Sequence, residues 1–282
     1  MILFKTIDQL QQYLTKQKNK GLSIGFVPTM GALHQGHLSL IAMSKLQADI
    51  TVCSVFINPT QFNDSKDFEK YPITIDNDIL LLEKAGCDVL FLPLADEIYP
   101  NGTALETTYH LGYLETILEG KFRPNHFQGV CQVVHRLLII LQPNTIFLGQ
   151  KDYQQCMVIK KLIDETGLKV NLQIGKTLRE TSGLAMSSRN IRLTEIDKAN
   201  ATAIYQSLVF MKANIDKETI TNLKLIVANT LIMNQFESVD YIEICDANTL
   251  QPLLVNEKTI QKIAVIAAFL NGVRLIDNML LD

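Results

Sequence analysis

From about residue 20 to residue 175, short apolar runs alternate with stretches of helical periodicity. Leu22–Val27 is an apolar run ahead of Pro28 and predicts a buried strand. His37–Leu46 sets Leu38, Ile41, Ala42 and Leu46 at helical spacing. Ile50–Ile57 alternates and stops at Asn58-Pro59; Asn77–Ala85 predicts a helix that Gly86 ends; Asp88–Leu92 predicts a strand before Pro93. In Phe127–Leu141, Val130, Val133, Val134, Leu137, Leu138 and Leu141 form one stripe, the mark of a helix with a buried face. Thr145–Leu148 reads as a strand, Lys151–Thr166 as a helix and Lys169–Ile174 as a strand. This alternation implies parallel βαβ units in a Rossmann-like doubly wound sheet, an α/β fold. Ligands in such sheets bind beyond the carboxyl ends of the strands. After Gly175 two helical stretches, Glu195–Ala213 and Lys217–Phe236, precede strands Val239–Cys245 and Lys262–Leu270. Helices followed by strands predict a smaller C-terminal α+β domain, with the division expected at 1–176 and 177–282. Gly175–Arg192, rich in Thr, Ser, Gly and Arg, reads as a hinge and active loop.

Composition narrows the function classes. The 282 residues are 47% apolar and 20% charged, which excludes a disordered chain. A formal net charge of −3 offers no basic surplus, so nucleic acid is not an expected partner. Met1–Leu10 lacks the apolar core of a signal peptide, and the apolar runs around Val130–Leu141 and Ile263–Leu270 are interrupted or short. These features predict a cytoplasmic protein with no membrane partner. Five cysteines, with no C-x-x-C pair, support neither a disulfide nor a zinc framework and read as small buried hydrophobes.

Four blocks carry candidate chemistry. Pro28-Thr29-Met30-Gly31-Ala32-Leu33-His34-Gln35-Gly36-His37 follows the first expected strand and opens a helix. Backbone N–H groups and the helix dipole favour an anion there, and imidazolium donors can neutralise phosphoryl oxygens. A zinc pair, or one structural and one surface histidine, are the competing readings. Phe147-Leu148-Gly149-Gln150-Lys151-Asp152 also lies between strand and helix; Lys151 offers a point charge for phosphate, and Asp152 an acceptor for ribose or a helix cap. Gln155 falls one helical turn past Lys151. Met186-Ser187-Ser188-Arg189 brings two hydroxyls and a guanidinium suited to a triphosphate, without the G-x-S-x-G elbow of a serine nucleophile. In Phe56–Phe62, Asn58 and Gln61 offer amides for a carboxylate or hydroxyl. Gly175-Lys176-Thr177 is no Walker loop, because Val170 stands where its first glycine belongs.

These blocks, in this order, resemble the pantoate–β-alanine ligase family, within the nucleotidyltransferases that carry a "HIGH" signature; here that signature looks like His34-Gln35-Gly36-His37. Tyr71-Pro72, Arg123-Pro124, His126-Phe127, Gly129-Val130 and Arg274-Leu275-Ile276-Asp277-Asn278 extend the likeness over nearly the whole chain. The resemblance implies condensation of pantoate with β-alanine through a pantoyl adenylate, using ATP and Mg²⁺ and releasing pyrophosphate and AMP. It implies that Met30, Gly31, Ala32, Leu33, His34, Gln35, Gly36 and His37 line the ATP, with His34 and His37 on its phosphates. Gly149, Gln150 and Asp152 would lie at the nucleotide, Lys151 at the phosphates and Leu178 at the adenine. Met186, Ser187, Ser188 and Arg189 would close over the triphosphate. Gln61 and Gln155 would hold pantoate, with Val130, Val133 and Val134 as walls and Tyr71 and Arg123 near the entrance. The metal would come with the ATP phosphates and not from a protein site. The resemblance also implies a homodimer and a lid role for the C-terminal domain. Two positions depart from the family pattern: Ile73 where arginine is common, and Asn125 where glycine is common. A different nucleotidyltransferase and a non-catalytic nucleotide-binding module are the competing functions.

Overall fold

Strands and helices alternate from the first residues in the computed structural model, which describes residues 1–63, 65–105 and 107–281, with the backbone alone at 65 and 66. The strands are β1 (Ile2–Phe4), β2 (Ile24–Thr29), β3 (Ile50–Val55), β4 (Val89–Phe91), β5 (Thr145–Gly149), β6 (Asn171–Gly175), β7 (Ser238–Asp246), β8 (Lys262–Leu270) and β9 (Val273–Leu280). The helices are α1 (Ile7–Lys18), α2 (Gln35–Gln47), α3 (Ser65–Glu69), α4 (Ile75–Lys84), α5 (Ala95–Ile98), α6 (Leu118–Phe122), α7 (His126–Leu141), α8 (Tyr153–Thr166), α9 (Glu195–Asn214) and α10 (Ile220–Met233). The chain forms two compact units, Met1–Gly149 with Gln155–Lys176, and Gln150–Gln154 with Thr177–Asp282.

The first unit is built on a six-stranded parallel sheet of order β1-β4-β3-β2-β5-β6. Strand order reverses between β2 and β5, the arrangement that opens a crevice at the carboxyl ends. The β3 ladder covers β2 from Ile24 to Thr29, whereas the β5 ladder covers Gly25 and Phe26. Pro28 therefore lies inside the strand, not after it, beside the stretch where the β5 ladder has ended. All six residues of β3 are buried, so the expected alternation gives way to a strand covered on both faces.

Helix α2 corrects a second expectation. Its buried residues are Leu40, Ile41 and Ser44, while Ala42 is exposed and Leu46 is 88% exposed. Two glycines decide this face. A Cβ on Gly25 would come within 2.2 Å of Ser44 Oγ, and one on Gly175 within 2.4 Å of Leu40 Cδ2. The bare backbone lets the helix lie close against the sheet, with Ser44 bonded to Thr51 at 2.8 Å in the interior. By contrast, the stripe expected on α7 is buried throughout, and the neighbouring Phe127, Gln128, Cys131 and Gln132 are buried as well.

The second unit carries the antiparallel sheet β7-β8-β9. Helix α9 packs on β8 and β9, and α10 on β7. Its core joins Ala201, Ile204, Leu208 and Met211 of α9 to Leu223, Val227 and Leu231 of α10 and to Ile244, Ala264 and Ile266 of the sheet. Thr194 caps α9: its hydroxyl accepts from Asp197 N at 3.2 Å while Asp197 accepts from Thr194 N at 3.0 Å. Strands β1 and β9 and helix α1 have no counterpart among the expected elements.

Candidate functional site

The turn from β2 to α2 holds the paired histidines. Thr29 ends the strand; Gly31 (φ +83°) and Ala32 (φ +49°) then take left-handed backbone, which reverses the chain in two residues. Asp78, in the first turn of α4, holds this turn in place. Its carboxylate accepts from Ala32 N at 2.9 Å, Leu33 N at 2.8 Å and Thr74 Oγ1 at 3.0 Å, and the residue is 1% exposed. His34 caps α2: its Nδ1 accepts from Gly36 N at 3.1 Å, while His37 Nδ1 accepts from His34 N at 3.3 Å. The two rings lie 4.0 Å apart between centroids. With both Nδ1 atoms turned to backbone N–H groups, the Nε2 atoms are the ring nitrogens that these two caps leave over.

A second group surrounds the turn Pro59–Gln61. Asn58 is buried, and its amide is consumed internally: Nδ2 donates to Gly129 O and Gln61 Oε1, and Oδ1 accepts from Tyr99 Oη at 2.8 Å. It caps the turn and is not the ligand donor expected. Gln61 Nε2 lies 2.8 Å from Met30 Sδ, which places Gln61 beside the histidine-bearing turn. Gln61 O accepts from His126 Nδ1 at 2.7 Å and from an Arg123 guanidinium nitrogen at 3.4 Å. A Cβ on Gly129 would meet Thr60 O at 2.1 Å, so glycine is required where α7 touches this turn. Val130, Val133 and Val134 are buried on α7, and Tyr71 is buried edge-on to Phe62. Asn125 has φ +64°, the left-handed region that glycine takes most easily and asparagine tolerates best among other residues, which accounts for that departure from the family pattern. Ile73 is exposed. His135 accepts or donates at Nδ1 with Tyr109 Oη at 3.0 Å, and burial holds its pKa below the ordinary histidine value.

The remaining expected residues fall in the second unit, apart from Gly149 and Gln155, which belong to the first. Gln150, Lys151 and Asp152 form one 3-10 turn, and α8 starts at Tyr153, so Lys151 and Gln155 do not share a helix as the spacing suggested. Lys151 Nζ lies 3.9 Å from Asp152 Oδ1. Leu178 is exposed, one residue before an antiparallel bridge that joins Arg179 to Ala185. That bridge closes the segment leading to Met186, Ser187, Ser188 and Arg189, where Ser187 Oγ accepts from Arg189 N at 3.3 Å. Asn190 ties the segment together, donating to Glu180 Oε1 and Ala185 O at 3.0 Å each.

Asp78, Asn278 and Asp277 stand out as residues whose role composition and spacing left unread. Asp78 carried no signal beyond its place near the start of an expected helix; its partners lie 45 and 46 residues away. All five cysteines are buried and none forms a disulfide; burial pushes Cys87 up to about 11 and Cys245 up to about 12. Among the described residues no group of three or more His, Cys, Asp or Glu could hold a metal ion, and no helix is long and apolar enough to cross a membrane.

A parallel sheet whose strand β2 passes through a glycine turn into a histidine-capped helix defines an α/β fold of the doubly wound kind. The family model described as Pantoate-beta-alanine ligase matches residues 2–280. A pantothenate synthetase of Cytophaga hutchinsonii is 43% identical over 283 residues, covering 100% of this chain and 99% of that protein. The crystal structure of pantothenate synthetase from Thermus thermophilus matches with a TM-score of 0.92 and 35% identity, over 100% of this chain and 99% of that one. A pantoate-beta-alanine ligase from Francisella tularensis, complexed with beta-gamma ATP and beta-alanine, matches with a TM-score of 0.83 and 37% identity, over 100% and 98%. The chain belongs to the pantoate–β-alanine ligase family and is an enzyme of the ligase class that serves pantothenate biosynthesis.

Proposed function

We propose that this enzyme condenses pantoate with β-alanine in two steps, using ATP. The pantoate carboxylate attacks the α-phosphorus, forming the mixed anhydride pantoyl adenylate and expelling pyrophosphate. The β-alanine amine then attacks the acyl carbon, forming the amide and releasing AMP and a proton. The observation that carries this reading is the reciprocal cap of His34 and His37, which fixes two Nε2 donors at the end of the central strand. The ATP and β-alanine complex of the Francisella tularensis relative supports it.

Each group has a share in the chemistry. Attack by a carboxylate on a polyanion is opposed by charge, and donors aimed at the phosphoryl oxygens offset that opposition. His34 and His37 supply two such donors, with Met30 to Leu33, Gln35 and Gly36 shaping the turn that bears them. Lys151 adds a cationic donor at the phosphates, Met186, Ser187, Ser188 and Arg189 close over the triphosphate, Gly149 and Asp152 take the ribose with Gln150 beside the nucleotide, and Leu178 meets the adenine. Gln61 and Gln155 hold pantoate, Val130, Val133 and Val134 take its dimethyl carbon, and Tyr71 and Arg123 border the way in. Positioning the substrates in turn contributes on the order of 7–11 kcal/mol. The donor set around the turn is rich in nitrogen and hydroxyl groups suited to phosphate oxygens, so Mg²⁺ would come with the ATP phosphates. When bound, Mg²⁺ supplies charge neutralisation on the phosphates. The domain assignment belongs to the same proposal, 1–176 for ATP and pantoate and 177–282 as the lid that an easily hydrolysed anhydride calls for. So do a homodimeric assembly and a cytoplasmic setting.

The test is pantoate-dependent exchange of labelled pyrophosphate into ATP in the absence of β-alanine. Exchange that requires pantoate, with AMP release that requires both acids, is the expected result. AMP release without pantoate, or exchange that ignores it, would overturn the adenylate route.

A further inference from the structure

Strand β9 carries Asp277 and Asn278 side by side, 5% and 3% exposed. Neighbours in a strand point to opposite faces, so two adjacent residues can serve two separate segments. The Asp277 carboxylate takes both terminal nitrogens of Arg179, one of them at 3.0 Å. Arg179 also donates to Gly183 O at 3.2 Å and lies 4.3 Å over the Tyr205 ring. Through its bridge to Ala185 it stands at the root of the segment that carries Leu178 and Met186 to Arg189. Asn278 serves the other segment. Its Nδ2 donates to Gln150 O and Lys151 O, both at 2.9 Å, and its Oδ1 accepts from Gln150 Nε2 at 3.2 Å. A single 3-10 turn makes few hydrogen bonds of its own, so these external bonds fix the backbone from which the Lys151 side chain springs.

We propose that Asn278 is a positioning residue for Lys151, and that the Asp277-Asn278 pair sets the Lys151 turn and the Leu178–Arg189 segment in one fixed register. The proposal rests on the reading of Lys151 and of that segment as nucleotide-binding. Neither Asp277 nor Asn278 needs to touch a substrate. Both are buried, and each acts through the segment it holds.

A double-mutant cycle tests it, read as steady-state pantothenate formation with ATP varied. Lys151→Ala and Asn278→Ala each lower kcat/KM for ATP, the latter by roughly 10- to 100-fold, as expected of a catalytic group displaced by about an ångström. With the amine gone there is nothing left to position, so the double variant falls within about threefold of Lys151→Ala alone. The KM for β-alanine stays within about twofold, which a general loss of structure would not allow. If the two losses multiply, or if Asn278→Ala retains wild-type kcat/KM while Lys151→Ala loses it, the positioning role is wrong. If Lys151→Ala itself is unaffected, the nucleotide reading of Lys151 fails and takes this proposal with it. Circular dichroism and thermal midpoints establish that each variant is folded. Should Asn278→Ala not fold, Asn278→Ser, which retains one donor, enters the same cycle with the same criteria.

Discussion

Replacing Asp78 by alanine strips the histidine-bearing turn of its anchor. The carboxylate accepts two backbone N–H groups and one hydroxyl, all between 2.8 and 3.0 Å, at a position 1% exposed. A hydrogen bond to a charged group contributes about 1.5–3 kcal/mol, so the two backbone bonds together contribute roughly 3–6 kcal/mol. Water has little access to replace them, and Ala32 and Leu33 are left with buried donors lacking their acceptor. Ala32 also holds left-handed backbone, a conformation that persists only where its surroundings enforce it. Asp78→Asn keeps the volume and one acceptor oxygen but turns an amide N–H toward a donor, with an expected cost of about 1–3 kcal/mol. Urea unfolding followed by circular dichroism measures both. The alanine variant is expected to lose the larger share, the asparagine variant to fall between, and pyrophosphate exchange in the folded protein to drop with the same order. A loss below about 1 kcal/mol for Asp78→Ala would refute the reasoning, because it would mean that the turn holds itself.

Four further perturbations bear on the same geometry. His37→Ala removes the acceptor for His34 N and is expected to cost about 1 kcal/mol in stability, while its loss as a phosphate donor lowers exchange by roughly 100-fold; wild-type exchange would contradict the phosphate role. Asn125→Gly is expected to leave the unfolding midpoint nearly unchanged and Asn125→Val to lose about 1–2 kcal/mol, since φ is +64° there; equal midpoints would show that the position is unstrained. Gly129→Ala forces a methyl group into Thr60 O, so a loss of about 1–3 kcal/mol and a raised KM for pantoate are expected in denaturation and rate measurements. The pKa of His135 is lowered by burial, so as pH falls the unfolded chain takes up the proton before the folded one. Stability should therefore decline as pH drops below about 6.5, and His135→Asn should flatten that slope in unfolding curves recorded across pH.

The alternation of apolar runs with helical stretches was enough to place strands β2 to β8 and helices α2, α4 and α7 to α10 within a few residues, because apolar residues recur along them at the spacing of the element they form. The blocks around His34, Lys151 and Met186 drew notice as candidates because glycines, histidines and hydroxyls cluster there between a strand end and the next element. Strand β1 is three residues long and β9 is interrupted by Arg274, Asp277 and Asn278, so neither announces itself by pattern. The face of α2 that is buried could not be read from α2, since it depends on glycines in β2 and β6 that admit Leu40 and Ser44. Asp78 and Asn278 look like ordinary polar residues until the chain folds, because their partners stand 45 and 127 positions away. Local sequence thus determined most of the strands and helices and which blocks are candidates for chemistry. Tertiary packing alone decided which face α2 buries and which distant residues hold each turn in place, since a hydrogen bond between distant residues leaves no trace in the spacing of either.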